Sequence, residues 1–238
     1  MHDTAYLLGK MFLDLYWKDE FKKVLDVGAM DVNGTLRDFC PAGAEWCGVD
    51  MAEGKGVDIV LQDPHSFPFE DESFDVIVSS SAMEHDGMFW VTFVEMARVL
   101  RPGGLLYINA PSNGWYHAYP HDCWRFYPDS GLALEKWAKR MNQDMRLVDS
   151  FICPRQRDVW NDCVLIFSKG AGKEEGPFLS DHIAGAANIR RPGVEDVINK
   201  TLYTEDMLIH AQLRKNAEAT KACLDKAAEA LEMARNTL

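Results

Sequence analysis

The stretch that decides the fold is Val24-Leu25-Asp26-Val27-Gly28-Ala29-Met30-Asp31-Val32-Asn33-Gly34-Thr35. It opens with a four-residue buried strand and breaks at a glycine-bearing turn. The residues after the turn read as the start of a helix. A turn of this kind at a helix N-terminus presents backbone N–H groups that attract anions, and Gly28 lets the chain pass close to a ligand. About twenty residues on, Trp46-Cys47-Gly48-Val49-Asp50 ends a second strand in an acid, placed to bind the two hydroxyls of a ribose. The motif G-x-G-x-x-G is missing, because Ala29 and Met30 follow Gly28. A dinucleotide pyrophosphate needs those glycines for close approach, which counts against a nicotinamide oxidoreductase.

Outward from this unit, strand-length apolar runs alternate with amphipathic segments to about residue 170. Further strands are read at 57–61, 74–79 and 105–109, with a helix over 89–100 that stops at Arg101-Pro102-Gly103-Gly104. The alternation implies a mainly parallel sheet covered on both faces. A loop dense in aromatics, His and Pro (112–129) follows, then a helix from Gly131 to Met141. Two more strands, 147–153 and 162–167, are close enough to pair as an antiparallel edge. Seven strands are complete by Lys169.

Asp63 follows the third strand, where it can accept from an adenine amino group. The segments "FPFEDESFDVIVSSSAMEH" (67–85) and "RVLRPGGLLYINAP" (98–111) lie around the fourth and fifth strands. With the Asp26 loop, and in this order, they resemble the class I S-adenosylmethionine-dependent methyltransferases of the methyltransferase type 11 group, over roughly residues 20–170. More narrowly, "DVGAMDVNGT" (26–35) with "SNGWYHAYPHDCWRFYPDSGL" (112–132) is similar to members associated with cell-surface glycan assembly. The resemblance implies a Rossmann-like α/β domain that binds S-adenosyl-L-methionine. It implies that Asp26 and Gly28 cradle the methionine end, that Asp50 holds the ribose and Met51 flanks the adenine, and that Asp63 meets the adenine amino group. Ser79 or Ser80 would lie beside the methionyl group. Met30 stands where many relatives have Gly, which bears on how closely the turn wraps the cofactor.

In open α/β sheets ligands bind beyond the carboxyl ends of the strands. The segments 83–87 and 113–125 fall there, and they carry His85, His117 and His121. A hydroxyl acceptor must lose a proton during methyl transfer, and a positioned His is the commonest agent. His121 beside Asp122 resembles a base with its orienting acid, or half a metal site; no complete metal site is expected. The bland reading of the same loop is that its aromatics pack on the sheet. Arg125 is read as pairing with an acidic substrate or with Asp129.

Composition narrows the partners. A net charge of −12 over 238 residues argues against a nucleic-acid backbone as partner. No run is long and apolar enough for a membrane span, and the first residues lack the pattern of a signal peptide. Six scattered cysteines without a CxxC pair read as reduced cytoplasmic thiols. The expected organisation is a methyltransferase domain over 1–170, a linker or lid over 171–199, and a long C-terminal helix over 200–238. In that helix Leu213, Ala217, Thr220, Leu224, Ala227, Leu231, Ala234 and Leu238 form a thin heptad seam, which would dock on the domain or pair two chains in a homo-oligomer. The expected activity is methyl transfer to an oxygen of a small molecule or glycan. The competing reading is a non-catalytic S-adenosylmethionine-binding scaffold assembled through the C-terminal helix.

Overall fold

The computed structural model describes residues 2–170 and 176–236. They divide into two compact units, Met1–Lys200 and Thr201–Leu238.

The first unit is an α/β sheet. In chain order it contains α1 (Asp3–Tyr16), β1 (Lys23–Val27), β2 (Glu45–Asp50), β3 (Ile59–Val60), β4 (Phe74–Ser80), α2 (Phe89–Val99), β5 (Leu100–Pro111), α3 (Asp129–Arg140), β6 (Met145–Cys153), β7 (Asp162–Lys169) and β8 (Ala187–Arg190). The sheet order is β3-β2-β1-β4-β5-β7-β6-β8. Strands β3 to β5 pair in parallel, and β7, β6 and β8 add antiparallel. The Rossmann-like, mostly parallel sheet with an antiparallel edge is thus present, with one strand beyond the expected seven. That strand, β8, comes from the segment read as a linker or lid, of which residues 171–175 lie outside the described residues. Leu179 and Ile189 of this segment are buried, so it contributes to the core.

Strand alternation splits the core in two. Leu25, Ile77, Leu106, Ile108, Leu165 and Phe167 pack with Phe93 and Met96 of α2 and Leu134 of α3 on one face. Val24, Val76, Val78, Tyr107, Val164 and Ile166 pack with Leu8, Phe12 and Leu13 of α1 on the other. Helix α1, which sequence reasoning did not single out, therefore closes the second face.

Two local expectations are corrected. No α-helix follows the Asp26 loop; the chain makes only a four-residue 3₁₀ turn, Leu36–Phe39, capped by the Thr35 side chain. The Arg101-Pro-Gly-Gly segment does not separate α2 from the strand but lies inside β5. There the register with β4 shifts between Phe74 and Val76, and a Cβ on Gly104 would sit 2.7 Å from the Asp75 carbonyl. Glycine there lets the two backbones approach.

The second unit holds α4 (Glu205–Arg235), whose Thr204 N-cap accepts from the Met207 N–H. At 1.5 Å per residue it is about 46 Å long. None of its residues is buried, and Leu213, Leu224 and Leu231 of the seam are exposed; Leu238 lies outside the described residues. Among the described residues, no helix is long and apolar enough to cross a membrane.

Candidate functional site

A cavity of about 970 Å³ opens at the carboxyl ends of β1, β2, β4 and β5, where an open α/β sheet places its ligand. Its lining includes Asp26, Gly28, Asp50, Met51, Ser79, Ser80, His85, His117 and His121 from the sequence-derived set. Asp63 is the exception. It does not line the cavity, its side chain is 62% exposed, and its carboxylate caps its own turn by accepting from the His65 N–H at 2.9 Å. Leu61, Pro64 and His65 take that stretch of the wall instead.

The turn after β1 works differently from the expected anion cradle. Gly28 and Ala29 both donate their N–H groups to the Val49 carbonyl (3.0 and 3.1 Å), and Asp31 N–H goes to the Lys55 carbonyl at 2.8 Å. Met30 N–H goes to Asp50 Oδ2 at 3.2 Å. Four successive amides are therefore spent on the protein itself, and with no helix behind them the turn has no dipole to offer. Gly28 is still obligatory: its φ is +81°, and a Cβ there would lie 2.3 Å from the Ala82 Cβ. The glycine lets the loop after β1 pack against the loop after β4.

What the turn leaves for a ligand is carboxylate. Asp26, on the last turn of β1, is 5% exposed, and burial pushes its carboxyl up to about 7. Asp50 accepts from Met30, Met51 and Ala52 N–H groups; these bonds fix its orientation, and a carboxylate has lone pairs to spare for hydroxyl donors. At the end of β4, the hydroxyls of Ser79, Ser80 and Ser81 are buried at the cavity wall, yet none has a hydrogen-bond partner among the described residues. Buried polar atoms without partners are rare and call for an explanation. Tyr119, from the long loop, reaches over to place its hydroxyl 3.5 Å from Met30 Sδ.

The other end of the cavity is built by two loops tied together. The Glu84 carbonyl accepts from Cys123 and Trp124 N–H groups at 2.8 and 3.1 Å, and Trp124 Nε1 donates to the Asp86 carbonyl at 2.8 Å. His85 Nδ1 is bonded to the His121 carbonyl. A carbonyl only accepts, so Nδ1 carries the proton and Nε2 is bare; burial also holds the imidazole below its usual range, in the neutral form. The ring of His117 lies edge-on to that of His85, 4.9 Å between centroids. His121 takes part through its carbonyl, and its side chain is exposed.

Asp122 is not the orienting acid of His121. It accepts from His117 N–H (2.8 Å) and from both terminal nitrogens of Arg125 (2.6 and 2.9 Å). The Arg125 guanidinium holds the Asp122 carboxyl down at about 2. Arg125 is thereby a brace for the loop, bonded also to the Trp115 and Trp124 carbonyls. Asp129 pairs with Arg190 instead.

Sequence reasoning passed over Glu84, which is 1% exposed and lines the cavity. Burial pushes its carboxyl up to about 8, and its Oε2 has no partner among the described residues. The signal was present in Met83-Glu84-His85, but only the fold shows that Glu84 points inward. His65, held by Asp86 at 3.0 Å, was also missed.

Residues 16–108 match the family model described as a methyltransferase domain. Two proteins of Mycobacterium ulcerans (strain Agy99) are similar over part of their length. The phthiotriol/phenolphthiotriol dimycocerosates methyltransferase 1 is 48% identical over 106 residues, covering 39% of this chain and 39% of that protein. The probable methyltransferase 2 of the same description is 43% identical over 70 residues, covering 29% of this chain and 27% of that one. The chain thus spans well under half the length of these relatives. In fold it is similar to the 1,6-didemethyltoxoflavin-N1-methyltransferase of Burkholderia thailandensis, solved with 1,6-didemethyltoxoflavin and S-adenosylhomocysteine. The TM-score is 0.55 at 17% identity, over 71% of this chain and 77% of that one. Residues 16–108 thus match a methyltransferase domain, and the chain shares the Rossmann-like α/β fold of the methyltransferase it is similar to.

Proposed function

We propose that the chain is an S-adenosyl-L-methionine-dependent methyltransferase that transfers the methyl group to an oxygen of a small molecule or glycan. The observation that carries the cofactor half is the set of buried hydroxyls without partners among the described residues at Ser79, Ser80 and Ser81, residues that line the same cavity as Asp26 and Asp50. These groups fit a ligand that brings an amino-acid end, a ribose and a positive charge.

The cofactor supplies a methyl group on a positively charged sulfur, open to displacement by a nucleophile. Asp26 would meet the ammonium of the methionine end, and a nearby cation would bring its carboxyl back to the charged form. Asp50, already oriented by three N–H groups, would accept from the ribose hydroxyls, with Met51 at the adenine. Ser79 and Ser80 would bond the methionyl group. Gly28 serves indirectly, by seating the β1 turn on Ala82.

The acceptor would enter between the loop after β4 and the aromatic loop 112–128. His85 lines the cavity with Nε2 bare, so it is the best-prepared of the three His candidates to handle a hydroxyl proton. His117 stands beside it, and His121 positions His85. A carbohydrate or other small acceptor fits the wall of Tyr119, His117 and Trp160. The net charge of −12 disfavours nucleic acid. The six free cysteines suit the cytoplasm. The exposed leucines of α4 would pair with a second copy of the chain.

Isothermal titration of the intact protein with S-adenosylhomocysteine tests the cofactor reading: binding is expected, and Asp50→Ala should weaken it by about tenfold or more. No binding by wild type would overturn it. For the assembly, light scattering should report an oligomer that Leu224→Glu with Leu231→Glu dissociates; a wild-type monomer ends that part of the proposal.

A further inference from the structure

Glu84, His85 and His117 each present a ligand atom, and the three atoms lie within 4.8 Å of one another. A metal ion binds either imidazole nitrogen, and in both rings Nδ1 already has a protein acceptor beside it. His85 Nδ1 donates to the His121 carbonyl. His117 Nδ1 has only acceptors near it, the Trp115 carbonyl at 3.3 Å and Asp122 Oδ2 at 3.5 Å. Each ring thus keeps Nε2 bare while its other nitrogen is anchored, the outer-shell arrangement that orients histidine ligands.

Among the described residues no cation is bonded to this cluster. His85 Nε2 and Glu84 Oε1 face each other at 3.6 Å, too far for a hydrogen bond. Glu84 lines the cavity and is 1% exposed, and its Oε2 has no partner among the described residues. Arg125, whose charge reaches Glu84 and His85, is bonded through both terminal nitrogens to Asp122. A base with its orienting acid would be hydrogen-bonded to it, whereas here three ligand atoms stand within 4.8 Å of one another and His85 Nε2 and Glu84 Oε1 are not bonded.

We propose that Glu84, His85 and His117 form a binding site for one divalent first-row transition-metal cation at the acceptor end of the cavity. Two imidazole nitrogens and one carboxylate oxygen leave positions open on such an ion. Bond lengths of about 2.1 Å require the three side chains to close in by about an ångström. The inference rests on the methyltransferase reading for its use: the ion would hold an acceptor oxygen and favour its ionised form, and His85 would give its lone pair to the metal.

Titration of the intact protein with Co²⁺ alone tests the site. The expected result is a visible d–d band saturating at one equivalent. Glu84→Gln and His117→Ala, each checked for native circular dichroism, should weaken binding by about 100-fold or more. No band in the wild type overturns the proposal. So does a band unchanged in both variants, which places the ion elsewhere. His117 sits on a loop, so its variant keeps the test open if Glu84→Gln fails to fold. A parallel titration with S-adenosylhomocysteine separates the two readings: cobalt binding without it leaves the metal site and removes the methyltransferase role, and the reverse removes the site alone.

Discussion

Two regions of the sheet bury carboxylates in opposite ways. On the antiparallel side, Asp149 of β6 is fully buried, and both its oxygens are used: Oδ2 accepts from Ser180 N–H at 2.8 Å and Oδ1 from the Ser180 hydroxyl at 2.9 Å. Arg191 stands 3.6 Å away. Asp162, at the start of β7, bonds His2 and Thr4. On the parallel side, Asp26 and Glu84 are nearly as buried, yet Glu84 keeps a partnerless oxygen and three neighbouring serine hydroxyls are orphaned. A buried charge with partners ties elements together. One without partners costs stability, and it persists where a ligand completes it.

The comparison can be broken from either side. The largest effect is expected at Asp149. Replacement by Ala removes both acceptors of Ser180 and one of the two carboxylates beside Arg191, which keeps its ion pair with Asp181. Urea denaturation should show a loss of about 4 kcal/mol; a loss below about 1 kcal/mol would place Asp149 with the cavity groups.

Asp26 should behave in the opposite sense. Its folded carboxyl titrates at about 7 against an ordinary 3.8, because burial disfavours the charge. The folded state therefore binds its proton more tightly than the unfolded state. The stability it contributes is complete below about pH 4 and is lost as pH rises through 7. Asp26→Asn should flatten that decline, leaving the ligand-free variant more stable than wild type at pH 8 by something on the order of 3 kcal/mol. Melting curves between pH 4.5 and 8 check this, and parallel curves for the two proteins would remove Asp26 from the strained set.

Gly28 sharpens where strain ends and packing begins. At φ +81° and with Ala82 2.3 Å from its would-be Cβ, Gly28→Ala should cost about 2 kcal/mol. A neutral result by thermal denaturation would show that the two loops yield. The smallest change is expected at Ser79 and Ser80. Their hydroxyls have no partner to lose, so Ser→Ala should leave ligand-free stability within about 1 kcal/mol and weaken S-adenosylhomocysteine binding about tenfold. A marked destabilisation would mean the hydroxyls serve the fold.

The strand–turn unit at 24–30, the apolar runs at 74–79 and 105–109 and the period of 89–100 act through local pattern: a strand or helix face repeats along the chain and is legible there. These settled the α/β class, the parallel core and the antiparallel edge, and they brought Asp26, Asp50, Ser79, Ser80 and His85 to one end of the sheet. Four things depended on contacts between distant residues. The anion cradle vanished because Val49, Lys55 and Asp50 claim the turn's amides. The eighth strand exists because Ile189 finds cover over β6. Arg125 turned to Asp122 and away from Asp129, and Glu84 came to line the cavity with its backbone joined to that of 123–124. A sequence records which groups are present and how their faces repeat. Whether a given N–H, carboxylate or imidazole nitrogen is spent on the protein or left for a ligand is decided only when the chain closes, because the partner that satisfies it comes from tens of residues away.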